Sequence, residues 1–293
     1  MYRFGAVIAA FFLAPTVAIA EFGGSLTAQW LYGSSDHSLR SENGRGCSDS
    51  GEREFCDDND GYTATLSLHY TPDGSDYFFN FDGQHLFMGE LSRSGGFVGR
   101  ERQTTYGVYG FHIGRSFERF DGGLFIAYGP DGGSQADSDR YDEFMSVGVE
   151  GTFGQYTVLL GSLFSVSGDA SGSDESLDTF GYVRVTRDFD LLGGNLATGA
   201  LASIGDLQYG ETVDRAKWFQ VSAEYERPIA DSRFSFYGSY AFDVLNNSDT
   251  NGRETYGAHT FGLGVKVAFG AEKSNAFRTP SFWAPISWAA EAN

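Results

Sequence analysis

Residues 61–70 read Gly-Tyr-Thr-Ala-Thr-Leu-Ser-Leu-His-Tyr, so that apolar or aromatic side chains alternate with small or polar ones. A repeat of two residues places successive side chains on opposite faces of an extended strand. Residues 258–269 repeat the pattern, with mostly aromatic and branched aliphatic side chains opposite a series of small residues and Lys266. Both segments therefore predict strands with one apolar face and one small or polar face.

Ten further segments alternate in the same way, which gives one domain of twelve predicted strands. The strands cover residues 22–33, 61–70, 77–88, 104–117, 122–129, 141–151, 156–166, 178–189, 195–205, 216–227, 233–245 and 257–269. The long, polar connections are 34–60, 89–103, 130–140, 167–177, 206–215 and 246–256, and the short ones are 71–76, 118–121, 152–155, 190–194 and 228–232. A chain that is polar on one strand face and apolar on the other suits a barrel that is apolar toward lipid and polar toward its lumen. We predict an all-β, antiparallel up-and-down transmembrane barrel of twelve strands, with ten or fourteen strands and a soluble two-sheet sandwich as the alternatives.

The two ends of the chain are predicted to lie outside the barrel. Arg3, the apolar run Gly5–Leu13 and the small-residue site Ala18-Ile19-Ala20 have the form of a signal peptide. The run is shorter than the roughly 20 apolar residues of a membrane-spanning helix. The predicted organisation is a removed signal peptide (1–20), a barrel (21–269) and a periplasmic tail with four aromatic side chains (270–293). We expect the tail to fold into the periplasmic mouth or to lie on the membrane, with a disordered extension as the alternative.

Charge and cysteine content limit the partners of the protein. A formal net charge of −19 argues against binding of nucleic acid. The acidic run at residues 57–60 lacks the spaced ligands and closing Glu of a calcium loop, so neither a metal nor another cofactor is predicted. Cys47 and Cys56 are the only cysteines and share one long connection. In an exported protein we expect them to form a disulfide.

The alternating segments resemble a known family. Residues 260–269 (T-F-G-L-G-V-K-V-A-F) resemble the closing strand of bacterial outer-membrane porins, and residues 146–158 (S-V-G-V-E-G-T-F-G-Q-Y-T-V) resemble a porin hairpin with a T-F-G turn. The resemblance covers residues 21–269 and implies a Gram-negative outer membrane as the location. It also implies outer-membrane lipids, lipopolysaccharide and the barrel assembly machinery as partners. In that family the terminal Phe usually ends the chain, whereas here a tail follows Phe269.

Sorting the strand residues by face predicts a set of polar side chains in the lumen. The ten candidates are His69, Asp82, Gln84, His112, Glu150, Arg184, Gln220, Glu224, Asp243 and Lys266. Charges of both signs can create a field that selects solutes in a water-filled constriction, or they can pair across a plugged lumen. We predict a narrow porin-like channel for passive diffusion of small hydrophilic solutes or ions. The alternative is a non-conducting structural, receptor or adhesin barrel.

A lipid hydrolase is the least favoured function. Known barrel lipases and deacylases place a Ser two residues after a His, so that both side chains lie on one strand face within hydrogen-bonding reach. The residues two positions after the five histidines of this chain are Leu39, Thr71, Phe87, Gly114 and Phe261. None is a serine, so the sequence predicts no enzyme and no catalytic residues.

Overall fold

The computed structural model describes residues 20–40, 56–90, 103–132, 143–167, 175–209, 212–230, 232–249, 252–270 and 277–280. Its twelve strands are β1 (Ala20–Arg40), β2 (Cys56–Pro72), β3 (Tyr77–Glu90), β4 (Gln103–Ser116), β5 (Asp121–Gly132), β6 (Glu143–Phe153), β7 (Tyr156–Ser167), β8 (Glu175–Leu191), β9 (Gly194–Tyr209), β10 (Thr212–Pro228), β11 (Phe234–Asp249) and β12 (Gly252–Gly270). Each strand pairs antiparallel with its chain neighbours, and β1 pairs with β12 to close the barrel. The predicted twelve-stranded antiparallel barrel is confirmed. Among the described residues no helix is long and apolar enough to span a bilayer.

The alternation of side chains decides which strand face points inward. In β2, Thr63, Ser67 and His69 are buried inside the barrel, whereas Tyr62 is 58% exposed on the outside. The registers carry this choice around the barrel, because Thr63 pairs with Gln29 of β1 and His69 with Asn80 of β3. A shift of one residue would turn every side chain of a strand to the other face. The period-two pattern therefore excludes any register that is shifted by an odd number of residues.

The outer surface is apolar around the whole barrel. Exposed outward side chains include Leu124, Ile126, Val147, Val149, Leu160, Val183, Val185, Leu263 and Val265. Exposed aromatic side chains are frequent near the turns, among them Phe22, Tyr70, Tyr77, Phe117, Phe120, Phe153, Tyr156 and Phe234, and others, such as Trp30, Tyr62, Phe111 and Phe219, lie farther along the wall. An aliphatic belt flanked by aromatic side chains is the surface that outer-membrane barrels present to lipid.

The two ends of the barrel differ in their connections. Short turns join β2 to β3, β4 to β5, β6 to β7, β8 to β9 and β10 to β11, and we call this the turn end and the opposite end the loop end. The predicted T-F-G hairpin is one of these turns, in which Phe153 pairs with Tyr156 and Gly154 has a φ of 61°. Outer-membrane barrels have their short turns on the periplasmic side. We therefore expect the turn end to face the periplasm.

Two of the predicted long connections are wrong. Strand β9 ends at Tyr209 and β10 begins at Thr212, and β11 and β12 are likewise separated by only two residues. Polar sequence at 206–215 and 246–256 was the basis of the prediction, but the antiparallel ladder continues through it. A strand end that projects beyond the lipid needs no apolar face, so polar composition does not mark the end of such a strand. Cys47 and most of the predicted signal peptide lie outside the described residues, so their predicted roles stay predictions.

Adjacent substitutions on β10 test the two faces. Val221 lies outward near the middle of the strand, and Ser222 lies inward. Val221→Arg would place a charge in lipid at a cost of roughly 2–4 kcal/mol, whereas Ser222→Arg keeps the charge in the lumen. We expect Val221→Arg to lower both folding yield and guanidine stability in lipid vesicles, and Ser222→Arg to leave both near wild type. The reverse order would show that the two faces have been exchanged.

Candidate functional site: the barrel lumen

The structure places all ten predicted lumen residues on the inner face of the barrel, as the strand registers require. Seven of them are buried, namely His69, Asp82, His112, Glu150, Gln220, Asp243 and Lys266. Gln84, Arg184 and Glu224 are half-buried. Seven of the ten belong to three separate polar groups rather than to one constriction, and His69, Gln84 and Arg184 lie outside these groups.

The first polar group is a buried row of three ionisable side chains on β3, β4 and β6. His112 is fully buried, with Nε2 2.6 Å from Asp82 Oδ1 and Nδ1 2.8 Å from Glu150 Oε1. Since each carboxylate binds a different ring nitrogen, neither nitrogen is free to accept a proton from a nucleophile. The two carboxylates also do not converge on one point, and among the described residues no group of His, Cys, Asp and Glu could hold a metal ion.

The second polar group holds Asp243 of β11. Trp218 Nε1 and Gln220 Nε2 on β10 each donate a hydrogen bond to Asp243 Oδ1 at 2.8 Å. This carboxylate is therefore satisfied by two neighbours on the adjacent strand. Its position beneath a buried tryptophan makes it part of the packing of the barrel interior.

The third polar group lies across the lumen, around Glu224 of β10. Tyr237 donates a hydrogen bond to Glu224, and Lys266 Nζ lies 2.6 Å from Glu226 Oε2. Glu224 also binds a residue that lies beyond the barrel strands, because Arg278 Nη1 is 3.4 Å from Glu224 Oε2.

Residues 277–280 lie inside the barrel, against the inner wall of β3 and β4. After β12 the backbone is in the left-handed region at Gly270, with a φ of 71°. Phe277 is 2% exposed, and its ring centroid is 5.4 Å from that of Phe78. With the Asn80 amide turned so that it donates to His69, its oxygen accepts from the Phe277 N–H at 3.1 Å.

The segment contacts the β3–β4 wall and also the opposite side of the lumen, on β10. The Thr279 N–H donates to Asp82 Oδ2 at 3.2 Å, and the Thr279 hydroxyl lies 3.4 Å from His112 Nε2. Arg278 points the other way, to Glu224 on β10. Phe277–Pro280 thus binds both walls of the lumen, and we call it the tail plug.

A second obstruction lies toward the loop end of the lumen. Buried apolar side chains from ten strands form one cluster, which we call the apolar layer: Leu31, Leu86, Val108, Phe125, Ala127, Phe144, Leu159, Leu163, Phe180, Tyr182, Leu201, Ala216, Trp218 and Leu245. On each strand that also carries a lumen charge, the apolar residue is nearer the loop end, as Leu86 is relative to Asp82 and Trp218 to Glu224. Inward side chains in the half of the lumen at the loop end are therefore largely apolar, although Ser146 and Ser203 are also buried there. The sequence predicted a polar inner face and left an open or a plugged lumen as alternatives, and the apolar layer shows that part of this face is apolar.

The remaining space is a pit that opens at the turn end. Its volume is about 850 Å³, and β6 to β12 and the tail plug form its walls. Glu150, Leu159 and Arg184 line its deep end, and Asp190 and Arg233 line it near the mouth. The pit ends at the apolar layer, because Leu159 belongs to both.

Sequence reasoning missed the apolar layer. It expected the tail to enter the periplasmic mouth or to lie on the membrane, but it did not identify Phe277–Pro280 or the residues that this segment binds. The signal for the layer was present, since the inward series of β1 changes from Thr27 and Gln29 to Leu31, and that of β10 from Gln220 to Trp218. In both series the side chains stay on the inner face, but they change from polar to apolar toward the loop end. The aromatic side chains of the tail suggested that it is covered, but no local signal identified the partners of Phe277–Pro280, because they are distant in the chain.

Gly110 offers a direct test of the tail plug. A Cβ atom at Gly110 would lie 1.9 Å from the Thr279 hydroxyl oxygen and 2.9 Å from Asp82 Oδ1. We expect Gly110→Ala to displace the tail plug while the barrel still folds, which would raise trypsin cleavage after Arg278 several-fold. The matched control is Gly181→Ala, whose Cβ would meet no atom closer than 4.0 Å. Equal cleavage in the two variants, measured by mass spectrometry, would contradict the position of the tail plug against Gly110.

Comparison with known proteins supports the fold. No family model matches the chain, and no curated protein matches it. An outer-membrane channel from Pseudomonas putida F1 has 12% identity and a TM-score of 0.53, over 88% of this chain and 100% of that one. The translocator domain of the autotransporter NalP from Neisseria meningitidis has 15% identity and a TM-score of 0.44, over 91% and 94%. Outer-membrane phospholipase A from Escherichia coli has 14% identity and a TM-score of 0.40, over 82% and 92%.

The fold and the lipid-facing surface together define the class. The chain is an outer-membrane β-barrel of the bacterial kind, with a closed twelve-stranded wall and an apolar exterior. Its location is accordingly the outer membrane. At these identities the similar structures show the fold alone, so function depends on the lumen itself.

Proposed function

We propose that the protein is a porin-like channel for small hydrophilic solutes or ions, and that the structure represents its closed state. The observation that carries the proposal is the pit, a space of about 850 Å³ with charged side chains in its wall that enters the barrel from the turn end. A barrel built only as a membrane anchor has no need for charged side chains around an open cavity. Polar and charged lumen walls are the means by which channels choose solutes.

Two obstacles close the path in series. The tail plug takes up the wall of β3 and β4 beside the pit, and the apolar layer separates the pit from the loop end. Whereas the apolar layer is built from the side chains of ten strands, the tail plug is a short segment that is held by the buried ring of Phe277, by hydrogen bonds and by one ion pair. It is therefore the obstacle that can leave at the lower cost.

A second candidate function is a non-conducting structural, receptor or adhesin barrel. The apolar layer favours it, because Leu163, Phe180, Leu201 and Leu245 are each 1% exposed and pack as a protein core does. A lumen filled in this way is stable without any solute. Permeation measurements separate the two candidates.

The test uses refolded protein in planar bilayers. We expect full-length protein to be mostly closed, with rare openings whose frequency rises at large applied voltage, and a salt gradient would give the ion preference. Uptake of small sugars by proteoliposomes supplies the measurement for neutral solutes. The non-conducting barrel would be favoured if wild-type protein showed neither conductance nor sugar uptake and if variants without the obstacles also showed neither.

We also propose that the protein has no enzymatic activity. The buried His112 is engaged at both ring nitrogens by carboxylates, so it is poorly placed to act as a general base. Outer-membrane lipids, lipopolysaccharide and the barrel assembly machinery remain the proposed partners, and Phe269 at the end of β12 is the proposed assembly signal. Release of fatty acid from phospholipid vesicles by the refolded protein would contradict the non-enzymatic assignment.

A further inference from the structure

We propose that the pit binds small organic carboxylates, with the guanidinium of Arg184 as the group that holds the anion. The inference names the solute class of the proposed channel and rests on that function for its role in transport. Support for binding does not depend on transport. It comes from the charged side chains of the pit, some of which are already paired with one another.

Two cations of the pit are engaged by acidic side chains. Lys266 Nζ lies 2.6 Å from Glu226 Oε2. Arg278 Nη1 lies 3.4 Å from Glu224 Oε2. An incoming anion would have to compete with a carboxylate of the protein at either position.

Arg184 differs from both. No hydrogen bond or ion pair joins its guanidinium to another side chain within the described part of the chain, although it is attracted by the nearby Glu224. That carboxylate already accepts from Tyr237 and Arg278. A guanidinium has five N–H donors, so Arg184 faces the pit with donors to spare.

The acidic residues of the pit are mostly satisfied elsewhere. Glu150 accepts from His112 through Oε1, while its Oε2 is buried without a hydrogen-bond partner among the residues that the structure describes, and Asp188 is hydrogen-bonded by Asn195. Asp190 and Arg233, which carry opposite charges, both line the pit near its mouth. The deep end of the pit therefore presents one cation that the protein does not neutralise by direct contact.

The surroundings of Arg184 indicate what kind of anion fits. Arg184 pairs with Leu159 on β7 and with Leu201 on β9, and both leucines belong to the apolar layer. A planar guanidinium binds a carboxylate through two parallel hydrogen bonds. A carboxylate with a short apolar body can place its head on Arg184 and its body against the leucines. The pit volume of about 850 Å³ also lies within the usual range of ligand pockets.

The experiment measures binding, not transport, with full-length protein refolded in detergent micelles. The probes are butyrate and its uncharged analogue butyramide, which have the same shape, titrated by calorimetry. We expect butyrate to bind at least about tenfold more tightly than butyramide, as a charge-assisted hydrogen-bonded pair allows. Arg184→Gln should abolish most of this difference, and Arg184→Lys should retain part of it.

The matched control is Arg227→Gln, which removes the same charge from an exposed, outward position on β10. It should leave the preference for butyrate unchanged. Protection of wild-type Arg184 from phenylglyoxal by butyrate gives a readout that does not depend on the folding of a variant. Equal butyrate binding in Arg184→Gln and Arg227→Gln, or no protection of Arg184, would overturn the inference. Carboxylate binding without conductance would leave the site intact and reject the channel, so the two failures are distinguishable.

Discussion

Removing the tail and opening the apolar layer together is expected to convert a closed barrel into a conducting one. The proteins to compare are the full chain, a deletion of Ala271–Asn293, Trp218→Ala and the combination of the two changes. Trp218 is among the largest fully buried side chains and spans part of the apolar layer. Because the obstacles lie in series, each single change should give few or no openings, and the combination should give resolved conductance steps in planar bilayers.

The tryptophan substitution has a cost that must be controlled. Truncating a buried Trp destabilises a protein by about 3–5 kcal/mol, and here it also removes one of the two hydrogen bonds to Asp243. The matched control is Trp30→Ala, since Trp30 is 53% exposed on the outer surface. Combined with the tail deletion, Trp30→Ala should remain silent. Conductance of the full chain equal to that of the combined variant would show that the closed lumen is not the state in the membrane.

Replacing His112 by Leu is expected to cost about as much stability as truncating the buried Trp218. The imidazole separates Asp82 from Glu150 and binds both. Without the imidazole, two buried carboxylates lose their shared partner. Removing one partner of a buried ion pair lowers the free energy of unfolding by about 3–5 kcal/mol. Guanidine unfolding in lipid vesicles, followed by tryptophan fluorescence, measures the change in the free energy of unfolding.

Two comparisons make the His112 result interpretable. The triple variant Asp82→Asn, His112→Leu, Glu150→Gln removes all three charges and should recover at least half of the lost stability, because no uncompensated carboxylate remains. His85→Leu is the matched control, since His85 is exposed on the outer face of β3, and its effect should be about 0.5 kcal/mol or less. A triple variant as unstable as His112→Leu would show that packing of the imidazole matters more than its charge pairing.

The sequence by itself determined the strands and the two faces of the wall. Those features follow from local alternation, and the residues of β2 from Tyr62 to His69 show how it works, since a strand has only two faces and one must meet lipid. The same rule placed His112, Glu150 and Arg184 on the inner face. Strand length was harder to predict, because the ladder between β9 and β10 continues through polar residues that no longer face lipid.

Only the tertiary structure decided how the lumen is filled. Thr279 meets Asp82 across 197 positions of the chain, and Arg278 meets Glu224 across 54, so no local pattern could pair them. The apolar layer likewise depends on barrel closure, which brings Leu31 and Trp218 from separate strands into one cluster. Alternation reports which side of the wall a residue occupies. It does not report what stands opposite, because that partner is set by the curvature of the whole sheet and by where the chain goes after β12.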